Sequence, residues 1–278
     1  MNRHVFHKNL NTVLIYAFLI IIGFTTIFPL LWMLATSLKD PYADVSKLTS
    51  IVPSKCHWDN YRAVFVETNF LREFCNSVFV TFTITAGKVF TSSIAAYAFA
   101  RMIFWGRNHI FLGYIATMMI PHSVTMIPTF LLLQKLGWID TYYALILPEM
   151  FTAYGTFMLR QFFLNLPRDL EEAAMIDGCN SWQIYCNVII PLSRNALITL
   201  AILIFMGSWK NFMWPLIVIH SAELYTLPVA LAKFKEMYGI QWPLLMAGSV
   251  IMILPMFIVF IAGQRFFIKG ITLGAVKG

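Results

Sequence analysis

The chain predicts an all-α, polytopic membrane protein with six transmembrane helices, and three observations carry that expectation. Of its 278 residues, 59% are hydrophobic and only 12% are charged, where a soluble domain carries about 45–50% and about 25%. The mean hydropathy is +0.72. The few charges leave six long intervals almost free of Asp, Glu, Lys and Arg. This composition excludes a soluble enzyme, a disordered tail and a disulfide-rich secreted module, because too much apolar surface would stay wet. The net charge of +7 must be placed relative to a membrane before it can be read as a sign of any acidic partner.

A membrane helix needs about 20 mostly apolar residues. The 30 uncharged residues between Lys8 and Lys39 predict a first span over 13–36. That run exceeds the apolar core of a signal peptide, so it is read as a retained anchor. The interval between Glu73 and Arg101, broken only by Lys88, predicts a second span over 77–99. The unbroken interval from Arg107 to Lys135 predicts a third, over 109–133, with Pro121 and Pro128 loosening its helix. Asp140 to Arg160, broken only by Glu149, predicts a fourth over 142–163. Arg194 to Glu223, broken only by Lys210, predicts a fifth over 196–219, and the unbroken stretch between Glu236 and Arg265 a sixth over 244–266. The expected organisation is a cytoplasmic tail over 1–12, a six-span transmembrane domain over 13–267 and a second cytoplasmic tail over 268–278.

The Lys/Arg bias sets the orientation. With both termini in the cytoplasm, ten basic residues lie inside and eight outside, five of those eight in one long loop over 37–76. Adding the acids puts +6 inside, 0 outside and +1 within the spans. Cys56 and Cys75 then face outward, Cys179 and Cys186 inward. Their spacing resembles no metal site, and all four are expected as unpaired thiols. The external loop 37–76 contains Asp40-Pro41, Pro53-Ser54 and Trp58-Asp59-Asn60-Tyr61. It can cap the external mouth or touch a partner, or it can be a plain connector.

The internal loop 160–195 is richer in signals. Pro167 suits the first turn of a helix, and Asp169, Glu171 and Glu172 complement its positive end. Ala173 and Ala174 propagate it, and Gly178 suits a left-handed stop. Asn180, with Gln183 three residues on, predicts a capping box that starts a second helix. That helix is expected to reach Ile190 and stop at Pro191.

These residues resemble the EAA loop of the permease subunits of ABC importers. The match consists of Glu172-Ala173-Ala174, three residues, Gly178, nine residues, then Val188-Ile189-Ile190-Pro191. Leu166-Pro167, Ile176-Asp177-Gly178, Trp209-Lys210-Asn211-Phe212 with Trp214-Pro215-Leu216, and the ending Gln264-Arg265-Phe266 to Gly274-Ala275-Val276-Lys277-Gly278 resemble the same family. The likeness spans nearly the whole chain and is greatest to carbohydrate importers of the maltose and glycerol-3-phosphate type.

The resemblance implies a multi-pass protein of the cytoplasmic (inner) membrane of a bacterium or archaeon. It implies a pore shared with a second permease subunit, two copies of a cytosolic ATPase and an extracytoplasmic solute-binding protein. It makes the loop between spans four and five a coupling helix. Glu171, Glu172, Ala173, Ala174, Asp177, Gly178 and Pro191 would then serve ATPase coupling, with Glu172 as the foremost contact.

No Walker motif is present: Gly87-Lys88 lacks both the upstream glycine and the following Ser or Thr. No nucleophile–base set, metal cluster or cofactor motif stands out, so the chain is read as no enzyme, and His4 and His7 as solvated. Ionisable groups inside spans are functional candidates: Lys88, Glu149, Lys210 and His122. Glu149 is expected to pair with Lys88 or Lys210, and His122 to be packed and hydrogen-bonded. Trp209, Asn211, Phe212 and Trp214 either line a sugar path or pack the interior, while Trp32, Trp105, Trp138 and Trp242 suit interfacial belts. The alternatives are a secondary transporter or a membrane scaffold acting without an ATPase. The scarcity of fixed positive charge favours an uncharged sugar or oligosaccharide over an anion.

Overall fold

The structure is a computed structural model that describes residues 2–42, 53, 55–67, 69–237 and 241–275; the side chains of 2–11, 67, 234–237 and 267–275 fall outside the description. The expectations for His4, His7 and the last three residues therefore lie outside the described residues. The chain folds as two compact units, residues 1–70 with 231–253 and residues 71–230 with 254–278.

In the first unit, helix α1 (Asn2–Ser37) runs through the whole expected N-terminal tail and first span. The described part of the long loop that follows is tied back to the end of α1. The His57 amide donates to the Leu38 carbonyl at 2.9 Å. Asn60, fully buried at the start of α2 (Asp59–Glu67), donates its amide to the carbonyls of Ser37 at 2.8 Å and Lys39 at 2.7 Å. Tyr61 meets the Ser37 hydroxyl at 2.7 Å. Asn60 thus closes the end of α1, whose last carbonyls have no partner within the helix. Asn60→Ala is expected to cost about 1–3 kcal/mol, since two buried carbonyls lose their donor, read as a lower unfolding temperature in detergent. Farther on, Gly248, in the helix Trp242–Ala275, lies close to Leu231, Phe70 and Val64; a Cβ there would stand 2.6 Å from Leu231.

In the second unit, α3 (Phe70–Arg101) is the axis. One apolar core gathers on Val80 and Ile84 with Leu145, Trp214 and Val218. Another gathers on Ala96, Tyr97 and Ala100 with Leu159, Phe163, Ile184 and Leu200. Small residues allow close approach, as in other membrane helix pairs: a Cβ on Gly155 would stand 2.6 Å from the Ser92 hydroxyl oxygen.

The middle of the chain is built of short helices rather than long ones. The residues of the expected third span form α4 (Arg107–Ala116) with a tight turn to Met119, then α5 (His122–Lys135), bent by 99° between them. Pro121 stands at the bend, where its lack of an N–H interrupts the helical ladder. The residues of the expected fourth span form α6 (Tyr142–Ile146), a 3₁₀ turn over Leu147–Glu149, and α7 (Ala153–Leu164). Among the described residues, three helices are long and apolar enough to cross a membrane alone, and five if each bent pair counts once.

At the expected outer end, Asp140 adopts a left-handed φ of 61°. Its carboxylate accepts from the His220 and Ser221 amides, each at 2.9 Å, and from the Ser221 hydroxyl. Burial works upward on this carboxyl, but the Ser221 and His220 donors outweigh it and hold it below its ordinary range.

Candidate functional site

The internal loop folds largely as its residues dictate. Helix α8 (Asp169–Ile176) begins with Asp169, Glu171 and Glu172 in its first turn. It ends in a Schellman motif: Gly178 takes φ +83°, its amide bonds the Met175 carbonyl at 3.0 Å, and the Cys179 amide reaches back to Ala174 at 2.9 Å. The capping box is formed in both directions, Gln183 amide to Asn180 at 2.9 Å and Asn180 amide to Gln183 at 2.8 Å.

The second helix does not stop at Pro191. It passes from α9 (Ser181–Ile184) through a π turn over Tyr185–Ile189 into α10 (Ile190–Leu192), then bends by 77° into α11 (Arg194–Trp209). A proline in a helix clashes with the carbonyl four residues back, and the wider π turn relieves that crowding.

One face of this loop is tied down. Tyr185 is buried, bonds Ser93 on α3 at 2.7 Å and lies against Tyr97. The other face is open. Glu172, Ala173, Asp177 and Gly178 are exposed, and so are Met175, Trp182 and above all Ile176 at 87%.

The two glutamates part company. Glu172 points outward, while Glu171 is buried and meets Arg101, the last residue of α3, at 2.7 Å. The contact is ionic rather than a well-aligned hydrogen bond. Arg101 also donates to the Leu166 carbonyl at 2.8 Å. Burial pushes the Glu171 carboxyl up, against the pull of Arg101 and Arg168. Glu171, which the resemblance groups with Glu172 for ATPase coupling, thus turns inward, because neighbours on a helix point about 100° apart. Arg101 is the residue that sequence reasoning missed; its position at a span end gives no measure of its distance from Glu171.

Within the spans, Glu149 pairs with Lys88, not Lys210. Lys210 is exposed in the break between α11 and α12 (Met213–Val218). His122 is not packed away: its side chain is 61% exposed, and its Nε2 stands 3.6 Å from Glu149. The tryptophans beside the break are packed. Trp209 is 1% exposed, stacked on Phe205 with ring centroids 5.8 Å apart and edge-on to Phe74 at 5.7 Å. Trp214 is 2% exposed and donates its indole N–H to the Ala144 carbonyl at 3.0 Å. Asn211 and Phe212 are only half-buried, and Asn211 lines a small cleft with Ser77, Thr81, Ser208 and Thr226.

One loop of this apolar, helical chain thus presents an exposed, firmly capped helix, and two of its helix pairs are sharply bent. Residues 88–272 match the family described as binding-protein-dependent transport system inner membrane component, and the chain belongs to that family. It is 40% identical over 261 residues to an arabinooligosaccharides transport system permease protein of Halalkalibacterium halodurans, covering 92% of this chain and 93% of that protein. It is 36% identical to the Bacillus subtilis protein of the same description, over the full length of both. Its fold is like that of a bacterial ABC transporter involved in import of the acidic polysaccharide alginate, with a TM-score of 0.86 and 23% identity over 94% of this chain and 98% of that one. The chain is therefore a multi-pass inner-membrane permease component and not an enzyme, and the readings as a secondary transporter or a scaffold give way.

Proposed function

We propose that this chain is the permease subunit of an ABC importer for a neutral sugar or oligosaccharide. In this reading it forms the pore with a second permease, takes substrate from an extracytoplasmic binding protein and is driven by two copies of a cytosolic ATPase. The names of the full-length relatives support the substrate class. Six crossings are proposed, with α6 and α7 together as the fourth and α11 with α12 as the fifth, and both termini in the cytoplasm. The domain limits stay at 13–267, with tails over 1–12 and 268–278.

The observation that carries the coupling assignment is the exposed α8 on a buried support. Glu172, Ala173 and Asp177 offer charge and small side chains to an ATPase groove, with Met175 and Ile176 as apolar anchors. Ala174, Gly178 and Pro191 shape the loop, and Glu171 acts inward. ATP-driven closure of the ATPases would move α8 as a rigid body, and Glu171–Arg101 would pass that motion to α3. On the substrate path we place Asn211 and Phe212 at the α11–α12 break, with Trp209 and Trp214 supporting them from behind.

Glu172→Ala tests the coupling assignment. The side chain is exposed, so folding should survive. Co-purification of the ATPase should weaken at least about tenfold, since one partner of an interfacial charge pair is lost, and ATP-driven uptake should fall with it. Unchanged association and uptake would sink the assignment.

A further inference from the structure

The second unit contains two ion pairs of opposite character. Arg101–Glu171 is closed, with side chains 6% and 7% exposed. Lys88–Glu149 is open at 16% and 19%, and His122 beside it is 61% exposed. Lys88 lies on α3 between the two apolar cores, about one turn beyond Ile84 and two turns before Ala96. The three polar side chains come from three elements: the middle of α3, the turn over Leu147–Glu149 and the first residue of α5. The latter two are the places where spans four and three are interrupted.

Several neighbours seat the turn against α3 beside this cluster. Gly87 has no side chain, and a Cβ there would run into the Met150 thioether, so the turn can approach α3 beside Lys88. The Thr91 hydroxyl donates to the Met150 carbonyl at 2.8 Å. Trp214 stands edge-on to the His122 ring, 6.3 Å between centroids. The 3.6 Å between His122 and Glu149 is longer than a hydrogen bond, which leaves the imidazole able to take another partner.

An ion pair set on a long apolar helix and open at the surface of this chain needs water, a polar substrate or a polar partner side chain in front of it; lipid would leave it unsolvated. Interrupted helices near mid-membrane are where transporters place such sites. We propose that Lys88, Glu149 and His122 form a polar subsite on the aqueous translocation path that receives the hydroxyl groups of a neutral sugar. The Glu149 carboxylate accepts from hydroxyls, the Lys88 ammonium keeps protons beyond the one given to Glu149, and imidazole nitrogen adds a further polar contact. Lys88 and Glu149 cancel in charge, so the subsite offers hydrogen bonds without selecting an ion. The choice of sugar rests on the function proposed above; the exposure to water does not.

The test uses the complete transporter in liposomes. In a background with Cys56, Cys75, Cys179 and Cys186 changed to serine, His122→Cys is treated with a charged, membrane-impermeant thiol reagent. We expect modification at least about tenfold faster than at Ile20→Cys on the apolar α1, and slowing when arabinotriose is presented by the binding protein. In a second arm, Lys88→Gln with Glu149→Gln removes both charges while keeping shape. Arabinotriose uptake should fall about tenfold, by the loss of hydrogen bonds from charged groups, while the complex still assembles. Native uptake by that double variant would reduce the pair to a structural brace and overturn the proposal. So would a His122→Cys thiol that the reagent never reaches, or one that arabinotriose does not protect while it is being transported. If the native transporter carries no sugar, the substrate reading fails on its own, and the labelling arm still decides whether the triad lies on the aqueous path.

Discussion

Arg101→Ala is expected to uncouple the transporter and to destabilise it by about 3–5 kcal/mol, the cost of leaving one member of a buried ion pair without its partner. Glu171 would keep its place against α3 with no cation to meet it, and the Leu166 carbonyl would lose its donor. Two readouts separate the contributions. Thermal unfolding in detergent measures stability, and uptake per ATP hydrolysed measures transmission from α8 to α3. Arg101→Ala combined with Glu171→Ala should unfold at a higher temperature than Arg101→Ala alone, because no buried charge remains. Its uptake per ATP should stay low, because the strut is still missing. A double variant that transports normally would show that motion reaches α3 by another route, such as Tyr185 on Ser93 and Tyr97.

Trp209→Ala is expected to cost about 3–5 kcal/mol, the usual penalty for emptying a fully buried aromatic site. Stacking on Phe205 and the edge contact with Phe74 are lost together. Trp209→Phe should recover most of that stability and most of the uptake. For Trp214, Phe substitution should cost about 1–2 kcal/mol, since the Ala144 carbonyl loses its indole donor. Tryptophans that instead faced the sugar would give the reverse pattern, with a normal unfolding temperature and impaired uptake. Unfolding curves and uptake measured on the same preparations decide between the two.

Much of the internal loop was legible before any coordinates. Gly178, the Asn180–Gln183 box and the acids of the first turn are signals that act within a few residues, and each is realised in α8 and α9. Pro121 likewise announced a weakness in span three. The ionisable residues of the spans stood out because charge is rare there, and Glu149 was expected to choose between two lysines.

The choice itself was not legible. Lys88 and Glu149 are 61 residues apart, and Arg101 lies 70 positions before Glu171 by their numbers. Periodicity says which face a side chain takes but not what stands opposite. Glu171 and Glu172 looked like one acidic surface until the packing of α8 on α3 turned one inward. The tryptophans of the fifth span were balanced between lining and packing, since a large aromatic side chain fits both roles; the neighbouring Phe205, Phe74 and Ala144 decided for packing.

By itself, then, the sequence determined the membrane class, the helical character of the loop and its end signals. Those depend on composition and on hydrogen bonds closed within a few residues. Only the tertiary structure decided the 99° bend at Pro121, the inward turn of Glu171 and the meeting of Lys88, Glu149 and His122. A proline removes a hydrogen bond locally, but the angle taken afterwards, and the charge met across the gap, are set by the packing of distant helices.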